Sequence, residues 1–391
     1  MIGVVILERR VLHVVFRPSH LAVSRAIADT ISGKHLLVAS TEFDFDCYSS
    51  HELDSKLFTK IIKIEKPDFR TRKLYDYGER MKIQKVKESI FLLNREVRTF
   101  NPEFVVIYSD EHILSRIVLA DKNSKYILIE DGMVAYKKTS LMSRLRRKLR
   151  ENTRDFFWKT ATGFKISPWE GYGRTDFVDL FVKSFNSNLD NSKVRKVKVL
   201  GYPCFIASLG FRITDFQFRS KSERALFFIG QGLQGTNSYP DHEFYSLLAK
   251  LRDGLSGHFE RFIYLPHPME KGNSKRITDC GFSEVVTGRI AELTVLTSGY
   301  SSIQVCSLSS TALINLSFVG IPSFSLASML GTDLSLLFGE EVLVNLKCPK
   351  SFTDIVEVAE NSPPVSATAA SGEARALAET FHSDLRTIFD S

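Results

Sequence analysis

No stretch of the chain carries the roughly 18 uninterrupted apolar residues that a bilayer-spanning helix needs. Glu8, Arg9 and Arg10 also interrupt the first apolar run before it reaches the length of a signal-peptide core. The expected location is therefore the cytoplasm, with peripheral contact at the inner face of the cytoplasmic membrane compatible with it. Cysteine is scarce. Cys47, Cys204, Cys280, Cys306 and Cys348 are odd in number and far apart, which argues against a disulfide framework or a paired-cysteine zinc site and reads as reduced core residues. Internal repeats and long low-complexity segments are missing. So is any zinc-finger, RNP or helix-turn-helix spacing, which makes nucleic acid an unexpected partner. Disorder is not the default, since 391 residues at 43% hydrophobic and 25% charged are ordinary globular material, long enough for two domains with a core each. In excess is positive charge, formally +7, which favours an anionic partner: a nucleotide, an acidic glycan or an anionic membrane surface.

Short apolar runs alternate with helical periodicities through both halves. Val11 to Phe16, Leu21 to Ile31 and Leu36 to Ala39 read as strand, helix and strand, the opening of a βαβ unit. Further strands are expected at 61–64 and 104–108, an amphipathic helix at 82–100, and an acidic loop at Ser109, Asp110, Glu111 and His112. Lysines and arginines crowd positions 137–159 and interleave with Leu141, Met142, Leu145, Leu149, Phe156, Phe157 and Trp158. That is a basic, partly amphipathic helix, either a solvated face or a docking surface for anionic lipid headgroups. With Gly171, Tyr172 and Gly173 it is expected to link two domains, the second opening with strands at 177–184 and 196–200. Strands at 225–229, 262–265, 285–286 and 323–326, a turn at Tyr300, Ser301 and Ser302, and a helix from Ser310 to Val319 stopped by Gly320 complete that half. A linker at 362–368 precedes Leu377, Phe381, Leu385 and Ile388, spaced as a helix that packs back across the domains. The expected divisions are 1–165, 166–370 and 371–391.

Chemistry-bearing residues gather where strands end. Tyr126, Ile127, Leu128 and Ile129 pass directly to Glu130, Asp131 and Gly132, a buried strand ending in carboxylates and a residue that tolerates positive φ. Phe262 to Leu265 runs into His267, held between Pro266 and Pro268. A third strand, from Ile303, ends in Ser309, Ser310 and Thr311 where a helix begins. Ala225 to Ile229 is followed by Gly230, Gln231 and Gly232, where backbone N–H groups can approach a phosphate or sugar. The spacing is wrong for a dinucleotide fingerprint, and no dinucleotide-type acidic residue follows at the expected distance. Ligands bind beyond the carboxyl ends of parallel strands, which also makes Ser19 and His20, in the loop after the first strand, candidates for a crevice wall. Each group has a plainer reading as well. The carboxylates and serines, Ser19 included, serve as helix caps, and His267 packs in a rigid turn.

The carboxylate, imidazole and hydroxyl strand ends, in that order and with the Gly-Gln turn, resemble the EDG, HP and SS motifs of bacterial sialyltransferases, most closely the polysialyltransferase family and the related lipooligosaccharide sialyltransferases. The resemblance implies an α/β GT-B architecture of two doubly wound Rossmann-like domains facing across a central cleft, with an acceptor-side N-terminal domain and a donor-binding C-terminal one. It implies inverting, metal-independent transfer of sialic acid or a related nonulosonic acid from a CMP-linked donor to a bacterial surface glycan or glycolipid, with no cofactor. Glu130 or Asp131 would be the general base and His267 the acid or phosphate ligand. Gly230, Gln231, Gly232, Pro268, Ser309, Ser310 and Thr311 would line the nucleotide, and Ser19, His20 and Gly132 the acceptor side. The alternatives are transfer of another CMP-linked acid (legionaminic, pseudaminic or Kdo), a polyol-phosphate transferase using a CDP-linked donor, a nucleotide-sugar epimerase, and a non-catalytic glycan-binding or assembly subunit.

Overall fold

In the computed structural model the described residues are 8–43, 45–46, 48, 56–65, 77–120, 123–130, 141–168, 172–173, 176–185, 193–213, 220–231, 240–267, 270, 274–284, 289–332, 334 and 343–390. The chain divides into two compact units, residues 1–201 with 382–391, and residues 202–381.

The first unit is built on a parallel sheet of seven strands in the order β3-β2-β1-β4-β5-β6-β7. Its elements run β1 (Arg9–Val15), α1 (Pro18–Thr30), β2 (Gly33–Ser40), β3 (Lys60–Ile64), α2 (Tyr77–Phe100), β4 (Phe104–Ile107), α3 (Ile113–Val118), β5 (Lys125–Ile129), α4 (Leu141–Thr162), β6 (Leu180–Lys183) and β7 (Lys196–Val199). All four residues of β4 and the last four of β5 are buried. This is why these strands are uninterrupted apolar runs: helices cover a parallel sheet on both faces. Two expectations are overturned here. Strands β6 and β7 do not open the second domain, because β6 pairs in parallel with β5 and β7 with β6. The basic helix α4 is accordingly the crossover from β5 to β6, not a linker between domains. Its inner face is anchored by Arg116 of α3, fully buried, whose guanidinium grips Asp155 with both terminal nitrogens and donates from Nε to the Ser167 carbonyl at 2.8 Å.

The second unit carries a parallel sheet of six strands in the order β10-β9-β8-β11-β12-β13. Its elements run α5 (Cys204–Ile213), β8 (Lys221–Ile229), α6 (Asp241–Leu255), β9 (Arg261–Leu265), α7 (Ser274–Asp279), β10 (Ser283–Glu284), α8 (Ala291–Leu296), β11 (Tyr300–Ser307), α9 (Thr311–Phe318), β12 (Ser323–Ser325), β13 (Leu346–Lys347), α10 (Phe352–Asn361) and α11 (Ala367–Asp390). Tyr300, Ser301 and Ser302 form the start of β11, not a turn: Tyr300 and Ser302 pair with β8, with a register shift between them. The core under the sheet is aromatic, with Phe228 stacked on Tyr264 at 5.6 Å and Phe244 edge-on to Phe228 at 5.8 Å. Gly210 of α5 lies so close to α11 that an added Cβ would sit 2.1 Å from the Ala374 carbonyl oxygen. Helix α11 gives its residues up to Phe381 to this unit and the remainder to the first. Among the described residues no helix is long and apolar enough to cross a membrane. Cys204 and Cys306 are buried, as expected of core residues, and Cys280 and Cys348 are half-buried.

A buried histidine pair crosses β1 and β2. His13 Nε2 lies 3.0 Å from His35 Nδ1, and His35 Nε2 lies 2.8 Å from the Ile31 carbonyl. A carbonyl only accepts, so His35 carries a proton on Nε2; with both buried rings neutral, the contact between them runs from His13 Nε2–H to His35 Nδ1. Burial lowers both imidazoles from the ordinary value of 6.5, His13 strongly and with help from His35. Below about pH 6.5 the unfolded chain therefore binds protons that the folded one refuses. Stability present above that pH is lost as pH falls, by up to about 1.4 kcal/mol per unit for each histidine. Urea midpoints are expected to fall between pH 7.5 and pH 5.5, and His13→Gln to flatten that dependence. An unchanged slope in the variant would remove the pair as its source.

Candidate functional site

In a doubly wound sheet the strand order reverses at one point, where diverging connections leave a crevice beyond the carboxyl ends of the strands. In the second unit that point lies between β8 and β11. Two of the sequence-selected stretches meet there: Gln231 Oε1 accepts from the Ser309 backbone N–H at 3.0 Å and from the Ser309 hydroxyl at 3.2 Å. Ser310 is the N-cap of α9, its hydroxyl accepting from the Ala312 N–H at 3.3 Å, and Thr311 is the first helical residue. The cap reading of Ser310 thus holds, and it leaves the positive end of the α9 dipole facing the crevice. One turn into α9, Asn315 Nδ2 donates at 2.8 Å to Glu292 of α8, whose carboxyl is pushed up by burial.

The third stretch closes the same end. Strand β9 is next to β8, and the Gly230 N–H donates to the Leu265 carbonyl at 2.8 Å. His267, half-buried, accepts through its carbonyl from the Glu270 N–H at 2.8 Å. The Glu270 carboxylate takes a 2.8 Å hydrogen bond from the Tyr264 hydroxyl. It also explains the glycine at 230, since a Cβ there would lie 2.3 Å from Glu270 Oε1 and 2.7 Å from the Tyr264 hydroxyl oxygen. Gly230, Gln231, His267, Ser309, Ser310 and Thr311 are therefore gathered at one end of one sheet. Gly232 and Pro268 lie outside the described residues.

In the first unit the order reverses between β1 and β4, and Glu130 ends β5 one strand further on. Glu130 is half-buried and held by one residue at the end of β6: the Ser184 N–H donates to Oε2 at 2.8 Å and the Ser184 hydroxyl to Oε1. Both oxygens are thereby oriented. His20 is placed differently from a crevice wall. It is buried, stacked on Tyr108 at 4.3 Å, and its Nδ1 accepts from the Phe16 N–H at 3.4 Å. Ser19 lies in the first turn of α1, whose N-cap is Arg17 with Pro18 following, so Ser19 is not the cap. Asp131 and Gly132 lie outside the described residues. Ser184, Tyr264 and Glu270 escape sequence reading. Only Glu270, three residues after His267 in a turn, carries a usable signal. Among the described residues, no three or more His, Cys, Asp and Glu side chains cluster as metal ligands.

Comparison with known proteins gives this geometry a family. The model for alpha-2,8-polysialyltransferase (POLYST) matches residues 11–328, which span all the motifs above. The chain belongs to the alpha-2,8-polysialyltransferase family. It is a glycosyltransferase, taking a nucleotide-sugar donor and a glycan acceptor, and its fold is GT-B. A Staphylococcus aureus MnaA–UDP co-structure shares that fold at a TM-score of 0.54 and 10% identity, with 97% of this chain and 95% of that one covered. Two further structures align at a TM-score of 0.49. They are UDP-GlcNAc 2-epimerase from Neisseria meningitidis bound to UDP-GlcNAc (14% identity, 95% of this chain and 98% of that one) and CalG4, the calicheamicin glycosyltransferase (12% identity, 98% and 97%). No curated protein matches significantly.

Proposed function

We propose that this polysialyltransferase-family enzyme moves sialic acid, or a related nonulosonic acid, from a CMP-linked donor to a hydroxyl of a bacterial surface glycan with inversion at the anomeric carbon. The observation that carries the reading is the Gln231–Ser309 lock across the switch point of the second sheet, beside the capped start of α9, with His267 at the end of the neighbouring strand β9. Gln231 commits its carbonyl to Ser309, so what it offers a phosphate is its amide nitrogen. Ser309, Ser310 and the first N–H groups of α9 add donors and a positive dipole end, the environment an anionic leaving group needs. In a single displacement the acceptor oxygen bonds to the anomeric carbon as its proton passes to Glu130. The anomeric C–O bond breaks, and its electron pair departs on the CMP phosphate, to which His267 gives a hydrogen bond or proton. One leaving phosphate carries less charge than a diphosphate, and these donors meet the demand without a divalent cation.

The test is a thermal-shift panel of CMP, CDP, UMP and UDP, run beside CMP release from CMP-sialic acid with a glycan acceptor. A ligand that binds only the folded state stabilises it by about 2.7 kcal/mol at a hundred times its Kd. CMP is expected to give the largest shift, and Gln231→Ala to diminish it by loosening Ser309. A larger shift with UDP, or no CMP release, would reject the donor assignment.

A further inference from the structure

Helix α4 turns an apolar stripe to solvent, whereas a helix that covers a sheet normally buries its apolar stripe. At 3.6 residues per turn Met142, Leu145, Leu149 and Phe156 fall within an arc of roughly 60°. All four are exposed, at 60%, 53%, 71% and 67%. On the opposite side Glu151 and Asp155 are both buried, and Asp155 is gripped by the fully buried Arg116. That ion pair fixes the rotation of the helix, because turning the stripe inward would leave Arg116 buried without its counter-charge. Exposed cations flank the stripe on both sides, Arg146 on one and Lys148 and Lys159 on the other.

We propose that α4 is a membrane-docking element, seating Met142, Leu145, Leu149 and Phe156 at the headgroup–acyl boundary of an anionic bilayer with Arg146, Lys148 and Lys159 on lipid phosphates. An apolar strip between two cationic rims matches an anionic interface in both its components. It does not match a second copy of the same face, whose rims would repel, nor an acidic glycan, which gains nothing from leucine side chains. The proposal is independent of which donor the enzyme uses.

The full chain is tested by co-sedimentation with phosphatidylcholine vesicles made with and without phosphatidylglycerol. Binding is expected only with the anionic lipid and is expected to fall as salt rises. Arg146→Glu with Lys148→Glu and Lys159→Glu should weaken it on the order of 10²-fold, at roughly fivefold for each basic side chain removed. Leu145→Gln with Leu149→Gln should also release the protein, although the charge is unchanged. Both variants alter exposed positions, and unchanged circular dichroism and turnover on a soluble acceptor would show the fold intact. Equal sedimentation with neutral vesicles overturns the proposal, as does full binding by the Leu145→Gln/Leu149→Gln variant. So does a wild-type dimer that this variant converts to monomer, which would make a second copy the occupant.

Discussion

Replacing Glu130 by Gln is expected to lower turnover by about 10²–10⁴-fold, the usual contribution of a positioned general base, while leaving donor affinity nearly unchanged. The amide keeps the size of the carboxylate and still accepts through its carbonyl oxygen, but it cannot take the acceptor's proton. Stopped assays for CMP release, paired with CMP titrations by thermal shift, separate the two quantities. The arrangement around Glu130 adds a second variant. Because Ser184 holds both carboxylate oxygens, Ser184→Ala removes the hydroxyl bond and keeps the backbone one. A hydrogen bond to a charged group is worth about 1.5–3 kcal/mol. If Ser184 positions the base, turnover should fall by about 10- to 100-fold, less than in Glu130→Gln, again without a change in donor affinity. Should Glu130→Gln be active and Asp131→Asn inactive, the base is the neighbouring carboxylate. Activity in both would remove this strand end from the chemistry.

The strands legible in the sequence are those whose pattern is set by burial alone. The runs at 104–107, 126–129, 225–229 and 262–265 are apolar because parallel strands near the middle of a sheet have no solvent-facing side. The motif residues were visible because each breaks such a run at its carboxyl end, the one place in this architecture where polar side chains converge on a ligand. What stayed hidden depends on partners distant in sequence. Lys196, Val197, Lys198 and Val199 alternate like an edge strand, but only pairing with β6 assigns them to the first sheet. Helix α5 reads as featureless apolar sequence until Gly210 is seen against Ala374 of α11. Ser184 and Glu130 are 54 positions apart and Gln231 and Ser309 are 78, so neither contact has a local signature. His20, polar and in a promising loop, was misleading because an imidazole stacked on Tyr108 behaves as a core aromatic.

Loss of the imidazole at 267 should be felt twice, unlike loss of the carboxylate at 130. His267 follows β9, beside the Gly230 turn and at the same end of the sheet as Ser309, so in the proposed reaction it touches the phosphate both before and during bond cleavage. His267→Ala is therefore expected to weaken CMP binding and to lower turnover, by about 10²–10⁴-fold if it serves as general acid. Misfolding is controlled by comparing the thermal midpoint without ligand, and a local collapse around Glu270 by adding His267→Asn, which keeps a hydrogen-bond donor but cannot deliver a proton. Binding should recover in His267→Asn while turnover stays low. The decisive comparison uses a donor whose leaving group departs unprotonated, such as a nitrophenyl glycoside of the same acid. With no phosphate to protonate, His267→Ala should approach the wild-type rate on that donor, whereas Glu130→Gln should remain impaired because the acceptor's proton still has no destination. Equal rescue of both variants would mean that neither residue acts on its assigned proton. Wild-type kinetics for His267→Ala on the CMP donor would leave the imidazole as a packed side chain in a proline-bounded turn.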